Sequence, residues 1–128
     1  QIVAATNETE ISGYPVYDRE LLKPELLEKR NKVTLIGDAA HPMSPFKGQG
    51  ANQALLDALL LAREIAKGCK SKSKWKEIGI RKSVLTKFEA EMLERSASKV
   101  KGSAEAAKLL HSEMVLKEGN GPRGKHRK

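Results

Sequence analysis

The sequence predicts an α/β chain, mostly helical with a few strands, and three observations lead to that class. Residues 33–36, Val-Thr-Leu-Ile, form a short apolar run that fits a strand covered on both faces. Gly37-Asp38 ends that run and opens a loop stiffened by Pro42 and Pro45. From residue 50 to residue 66 the pattern becomes helical and apolar on nearly all sides. Strand, acidic turn, glycine-containing loop, helix is the order in which proteins hold a phosphate- and ribose-bearing cofactor at the carboxyl end of a strand.

The elements follow in chain order. Residues 1–5 carry no clear signal. Residues 11–18 alternate bulky side chains and read as a strand, with Pro15 favouring a sheet edge. Residues 24–32 read as a loop or a single helical turn around Leu26 and Leu27. In the helix that begins at Gly50, Ala51, Ala54, Leu55, Ala58, Leu59, Ala62 and Ile65 share one side, with Leu56, Leu60 and Leu61 beside them. Such a helix expects burial by more than one layer, and Gly68 is its natural stop. Lys-Ser-Lys-Ser-Lys-Trp-Lys at 70–76 reads as part of a basic linker spanning 69–82. A long amphipathic helix is expected over 83–117, with Leu85, Phe88, Met92, Val100, Ala104, Ala107, Leu110 and Met114 as its packing stripe. Thr86 and Glu89 have the spacing of a capping box, and Gly102 is a candidate bend. The tail, 118–128, reads as disordered and basic. Residues 1–68 form the unit that would carry the cofactor site.

Composition bounds the function. A chain of 128 residues with 39% apolar residues supports one domain with a modest core. The longest apolar stretch, 51–66, is interrupted by Asn52, Gln53, Asp57, Arg63 and Glu64, so no membrane span is expected. The first ten residues lack a basic start and an apolar run, which argues against a signal peptide, and the chain opens on Gln1 as if within something longer. A single cysteine, Cys69, excludes an internal disulfide and fits a reducing compartment such as the cytoplasm. The net charge of +8 is uneven. Residues 1–66 hold 7 Lys and Arg against 9 Asp and Glu, whereas residues 67–128 hold 17 against 7. The basic half includes only Trp75 as an interleaved aromatic and no nucleic-acid motif, so it reads as a solvated surface rather than a nucleic-acid site. No His, Cys and acidic residues stand at metal-ligand spacing.

The chemistry concentrates in residues 37–58. Asp38 stands where the predicted strand stops, so its carboxylate can accept from paired hydroxyls of a ribose or ribityl chain. A turn-capping carboxylate is the plainer reading of the same residue. Gly48 and Gly50 remove side chains where backbone must approach a ligand and permit positive φ before the helix. Free N–H groups at residues 50–53 would face that ligand with the positive end of the helix dipole behind them, worth roughly 0.3–2 kcal/mol to an anionic group. Asn52 offers a donor and an acceptor to a heterocycle edge. Lys47 could meet a phosphate or stay in solvent, Asp57 suits a cap or salt bridge better than a ligand, and His41 suits structural hydrogen bonding better than catalysis.

Taken together, Gly37-Asp38-Ala39-Ala40-His41, Pro45, Gly48, Gly50, Asn52, Ala54, Asp57 and Ala58 resemble the second FAD-binding motif of the class A flavoprotein monooxygenases, which include para-hydroxybenzoate and salicylate hydroxylases. Tyr14-Pro15-Val16-Tyr17-Asp18-Arg19 is similar to the strand these enzymes place before that motif. The resemblance implies the C-terminal part of a Rossmann-like flavoprotein fold that binds FAD. It matches Asp38 to the ribityl-binding aspartate, with the Gly37 backbone close to the pyrophosphate. Pro45 matches a proline whose carbonyl lies near substrate and flavin edge. Gly48, Gln49, Gly50, Ala51 and Asn52 match the helix N-terminus beside the flavin pyrimidine, and His41 a histidine that organises the loop. Family members reduce FAD with NADPH or NADH, and the hydroperoxide formed with dioxygen hydroxylates an aromatic or related small organic substrate. They also carry an N-terminal GxGxxG unit and a mid-chain Asp-Gly motif, neither of which occurs in these 128 residues. The chain is therefore expected to be the partner of a missing N-terminal half and inactive alone. Two alternatives stand beside this reading: a flavin reductase or epoxidase of the same superfamily, and a truncated, non-catalytic paralogue that acts as an interaction module through its basic helical half.

Overall fold

A computed structural model of the chain describes residues 2–13, 15–70 and 74–116. Among the described residues five α-helices run in order: α1 (Ile2–Ala5), α2 (Pro24–Glu28), α3 (Gly50–Gly68), α4 (Lys74–Ile78) and α5 (Thr86–Leu110). Short 3₁₀ turns at Gly37–Ala39 and Pro45–Lys47 shape the connection before α3, and a π-helical turn at Arg81–Leu85 leads into α5. The charged tail expected at 118–128 and Lys72 in the basic stretch lie outside the described residues.

The two expected strands do not form among the described residues. Ile36 is extended (φ −136°, ψ 162°). A strand, however, is a relation between segments, and a parallel partner must be reached by a crossover of a dozen or more residues. No such partner is present among the described residues, and a side chain takes the place of a neighbouring strand. The Arg81 guanidinium donates to the carbonyls of Arg30 and Val33, the latter at 2.7 Å, and pairs with Glu89 on α5. Residues 11–13 and 15–18 likewise carry no ladder, and Tyr14 lies outside the described residues.

Helix α3 begins at Gly50 and stops at Gly68, as its sequence predicts. The stop is also a packing contact, since a Cβ on Gly68 would stand 2.6 Å from Val84 Cγ2 and 2.8 Å from the Ser83 carbonyl oxygen. The face it buries is the unexpected feature. Gln53, Asp57 and Glu64 are buried, while Leu55 is 70% exposed and Leu56, Leu59 and Ile65 are also exposed. Within this chain α3 packs on α5 and the Gly37–Ala39 turn, and it does so through polar groups that each find a partner there. Burial of a polar group is tolerated on that condition. The apolar face is left without cover among the described residues.

The long C-terminal helix is shorter than the expected 83–117 span: α5 ends at Leu110, and a separate 3₁₀ turn follows at Glu113–Leu116. It continues as helix through Gly102. The capping box at Thr86 and Glu89 is absent. Helical backbone already precedes Thr86, so its N–H is not an orphan; its hydroxyl donates to the Arg81 carbonyl at 3.1 Å, and Glu89 pairs with Arg81. Of the predicted stripe, Leu85, Phe88, Met92 and Val100 are buried, and Met114 is exposed. The core groups Phe88 and Met92 of α5 with Leu27 of α2 and Ala40 beside the Gly37–Ala39 turn, and Leu22, Leu35, Leu60, Leu61 and Leu93 pack against it. The core therefore sits directly beneath the turn that carries Asp38.

Candidate functional site

The Gly37–Ala39 turn is held from below. Gly37 takes φ +58°, open to glycine at little strain, and a Cβ there would stand 3.2 Å from the Ala54 Cβ of α3. Its carbonyl accepts from the N–H groups of Ala40 and His41, each at 2.9 Å. Its own N–H donates to Asp57 Oδ2 at 2.8 Å. The same oxygen meets His41 Nε2 at 2.7 Å, and Asp57 Oδ1 accepts from Arg95 Nη2 of α5 at 2.6 Å. Asp57 is fully buried. Burial alone would push its carboxyl up; the Gly37 N–H, the Arg95 guanidinium and His41 together overcome this and hold it below its ordinary value of 3.8.

Two neighbouring residues brace the loop beyond. Arg19 Nη2 donates to the Ala39 carbonyl at 2.7 Å, and the Asp18 carboxylate accepts from the Ser44 N–H. The Ser44 hydroxyl reaches the Ser103 carbonyl of α5 at 3.0 Å. His41 is buried between these braces, and its Nδ1 has no hydrogen-bond partner among the described residues.

On this support Asp38 is exposed, and its Oδ1 lies 3.7 Å from where a Cβ on Gly50 would stand, with Met43 Cγ at 4.0 Å from the same point. The carboxylate and the first residue of α3 thus lie side by side. The Gln49 side chain does not cap the α3 N-terminus, so the first N–H groups of the helix keep their donor capacity. Gly48 takes φ +59° and closes the Pro45–Lys47 turn through an N–H bond to the Pro45 carbonyl at 2.9 Å. Gln49 bonds its own loop at the Lys47 carbonyl, at 3.3 Å. Ala51 and Asn52 are exposed on the first turn. Lys47 lies against α5, its Nζ 3.1 Å from where a Cβ on Gly102 would stand, and an open cavity of about 400 Å³ runs there between Lys47, Gln49, Ser98 and Lys99.

The structure therefore brings Gly37, Asp38 and Gly50 together and sets Pro45, Gly48, Gln49, Ala51 and Asn52 along the loop and helix start around them. Sequence reading missed Arg95 and Gln53. Gln53 Oε1 accepts from Arg95 Nη1 at 2.6 Å. Their signal was a polar pair at i and i+4, Gln53 and Asp57, set among the apolar residues of 54–62.

A family profile described as an FAD binding domain matches residues 27–78. The FAD-dependent monooxygenase phnB of Penicillium herquei is 39% identical over 68% of this chain and 20% of its own length. Phenazine 1,6-dicarboxylic acid hydroxylase PhzS of Lysobacter antibioticus is 46% identical over 44% of the chain and 13% of its own length. This stretch is similar to the FAD-binding part of the class A flavoprotein monooxygenases. A third relative within the family, the chloroplastic zeaxanthin epoxidase of an Oncidium hybrid cultivar, is 33% identical over 87% of the chain and 16% of its own length. The chain spans about a fifth or less of the length of these relatives. No solved structure matches significantly. The segment is an FAD-binding segment, and FAD is its cofactor. The residues around Gly50 fit such a group: an exposed carboxylate lies beside an uncapped helix start. No helix among the described residues is long and apolar enough to cross a membrane.

A pH dependence follows from the buried carboxylates of α3. Glu64 is held below its ordinary value of 4.5 by its hydrogen bond to Lys67, against the opposing effect of burial, with Lys87 of α5 adding to the pull. Asp57 and Glu64 are both depressed in the folded state, so their contribution is complete above the unfolded values. It fades as pH falls through 4.5 and 3.8 towards the lower folded values. Urea midpoints measured from pH 7 to pH 3 should fall only in the acid part of that range, and Asp57→Asn should flatten part of the fall.

Proposed function

We propose that this chain is the FAD-binding segment of an NAD(P)H-dependent monooxygenase that hydroxylates an aromatic or related small organic substrate with dioxygen. The observation that carries the reading is the exposed Asp38 carboxylate beside an uncapped α3 N-terminus, on a turn anchored from below by Asp57. Asp38 binds the ribityl hydroxyls, the Gly37 backbone lies near the pyrophosphate, and residues 48–52 face the pyrimidine edge of the flavin. The Pro45 carbonyl borders substrate. Bound FAD supplies the redox chemistry with NADH or NADPH and dioxygen. The chain's own part is to orient the cofactor, offer N–H donors to its negative charge, and hold the loop in place through His41 and Asp57.

The uncovered face of α3, with Leu55, Leu56 and Leu59 exposed, is where the rest of the flavoprotein fold packs. The chain alone then lacks the surfaces that complete the cofactor and substrate sites. Epoxidation is the second reading, favoured by the likeness to zeaxanthin epoxidase over most of the chain. The test is product analysis under ¹⁸O₂ with the longest natural protein that contains this segment. One labelled oxygen in a hydroxylated product supports the proposal, and a labelled epoxide favours the second reading. Flavin-dependent NAD(P)H oxidation without any labelled organic product would contradict both.

A further inference from the structure

The Arg95–Asp57 pair lies between α5 and the cofactor turn. Among the described residues Arg95 makes no hydrogen bond to the turn itself; its guanidinium spans Gln53 Oε1 and Asp57 Oδ1, both at 2.6 Å. The opposite edge of the Asp57 carboxylate meets the Gly37 N–H at 2.8 Å and His41 Nε2 at 2.7 Å. A carboxylate is planar and rigid, so fixing one oxygen fixes the direction of the other. Without Arg95, Oδ1 would be a buried acceptor lacking its partner, and the side chain could satisfy it only by rotating away from Gly37.

We propose that Arg95 is a positioning residue for the cofactor turn: through the two edges of Asp57, helix α5 sets where Gly37, and with it Asp38, stands at the α3 N-terminus. The proposal rests on the reading of Asp38 as a flavin contact. The Arg95 side chain is 23% exposed and that of Asp57 is fully buried, so the pair is drawn out of bulk solvent and screened little. The fork of a guanidinium matters here. It satisfies Gln53 and Asp57 at once, which the single ammonium of a lysine cannot match in geometry. A second cross-link between the same helices, Lys87 to Glu64 at 3.2 Å, serves as an internal comparison, because among the described residues Glu64 bonds to Lys67 and Lys87 and not to the turn.

The experiment compares Arg95→Met, Arg95→Lys and Lys87→Met in the longest natural protein containing this segment. Three quantities are read: melting temperature, hydrogen exchange at the Gly37 amide without flavin, and the FAD dissociation constant. With a hydrogen bond worth about 1–1.5 kcal/mol, Arg95→Met should speed Gly37 exchange and weaken FAD binding about tenfold relative to Lys87→Met. Arg95→Lys should recover part of both. Loss of melting temperature with Gly37 exchange and FAD affinity the same as in Lys87→Met would overturn the proposal and leave Arg95 a helix cross-link. If Arg95→Met does not fold, Arg95→Lys decides between the same two outcomes. Gly37 exchange that responds to Arg95 in a protein that binds no FAD would overturn the cofactor reading while the dependence of the turn on Arg95 stands.

Discussion

Replacing Asp57 with alanine is expected to destabilise the protein by about 3–5 kcal/mol, the effect of removing one partner from a buried ion pair. The carboxylate is fully buried and serves three donors: the Gly37 N–H, His41 and Arg95. Alanine strands all three. Arg95 loses its counter-charge, His41 loses the one ring nitrogen that has a partner, and the turn loses its anchor to α3. Since native domains are stable by about 5–15 kcal/mol, such a loss takes a large share of the total. Asp57→Asn should cost less, because an amide oxygen still accepts from Gly37 while the charge opposite Arg95 disappears. Equilibrium urea unfolding of both variants checks the order.

Phe88→Ala is expected to cost a comparable 3–5 kcal/mol. Phe88 has no exposed surface and forms the core with Leu27, Ala40 and Met92. The cavity it leaves would lie against Ala40, immediately after the Gly37–Ala39 turn, so the surrounding atoms cannot collapse into it without moving that turn. By contrast, Leu116 is 85% exposed, and Leu116→Ala should change stability by no more than about 0.5 kcal/mol. Calorimetry on the pair separates a core that supports the turn from a helix stripe of uniform value.

The helices were legible because their signals are local. The glycines at 50 and 68 bound α3 where the sequence places its ends, and Phe88 and Met92 of the α5 stripe are buried. The strands were not legible as strands, because an extended apolar run such as residues 33–36 needs a partner segment before it is one. Which polar groups of α3 are buried was not legible for a related reason. Leu55 and Leu59 look like core and are exposed, whereas Gln53, Asp57 and Glu64 look like interruptions and are buried. Their partners, Arg95 and Lys87, lie 38 and 23 residues along the chain from Asp57 and Glu64, beyond the reach of any local pattern. At the candidate site, Asp38 and the glycines announce themselves through turn and helix chemistry. The support beneath them, Arg95 acting through Asp57, becomes visible only when α5 is folded against α3.

We propose that Asp38 and the start of α3 hold FAD, and an FAD titration of the longest natural protein containing this segment compares wild type with Asp38→Ala. Loss of charge-assisted hydrogen bonds worth about 1.5–3 kcal/mol should weaken FAD binding about 10- to 150-fold with little change in melting temperature, since Asp38 is exposed. Equal FAD affinity in the two proteins would contradict the account and return Asp38 to the role of an ordinary turn carboxylate.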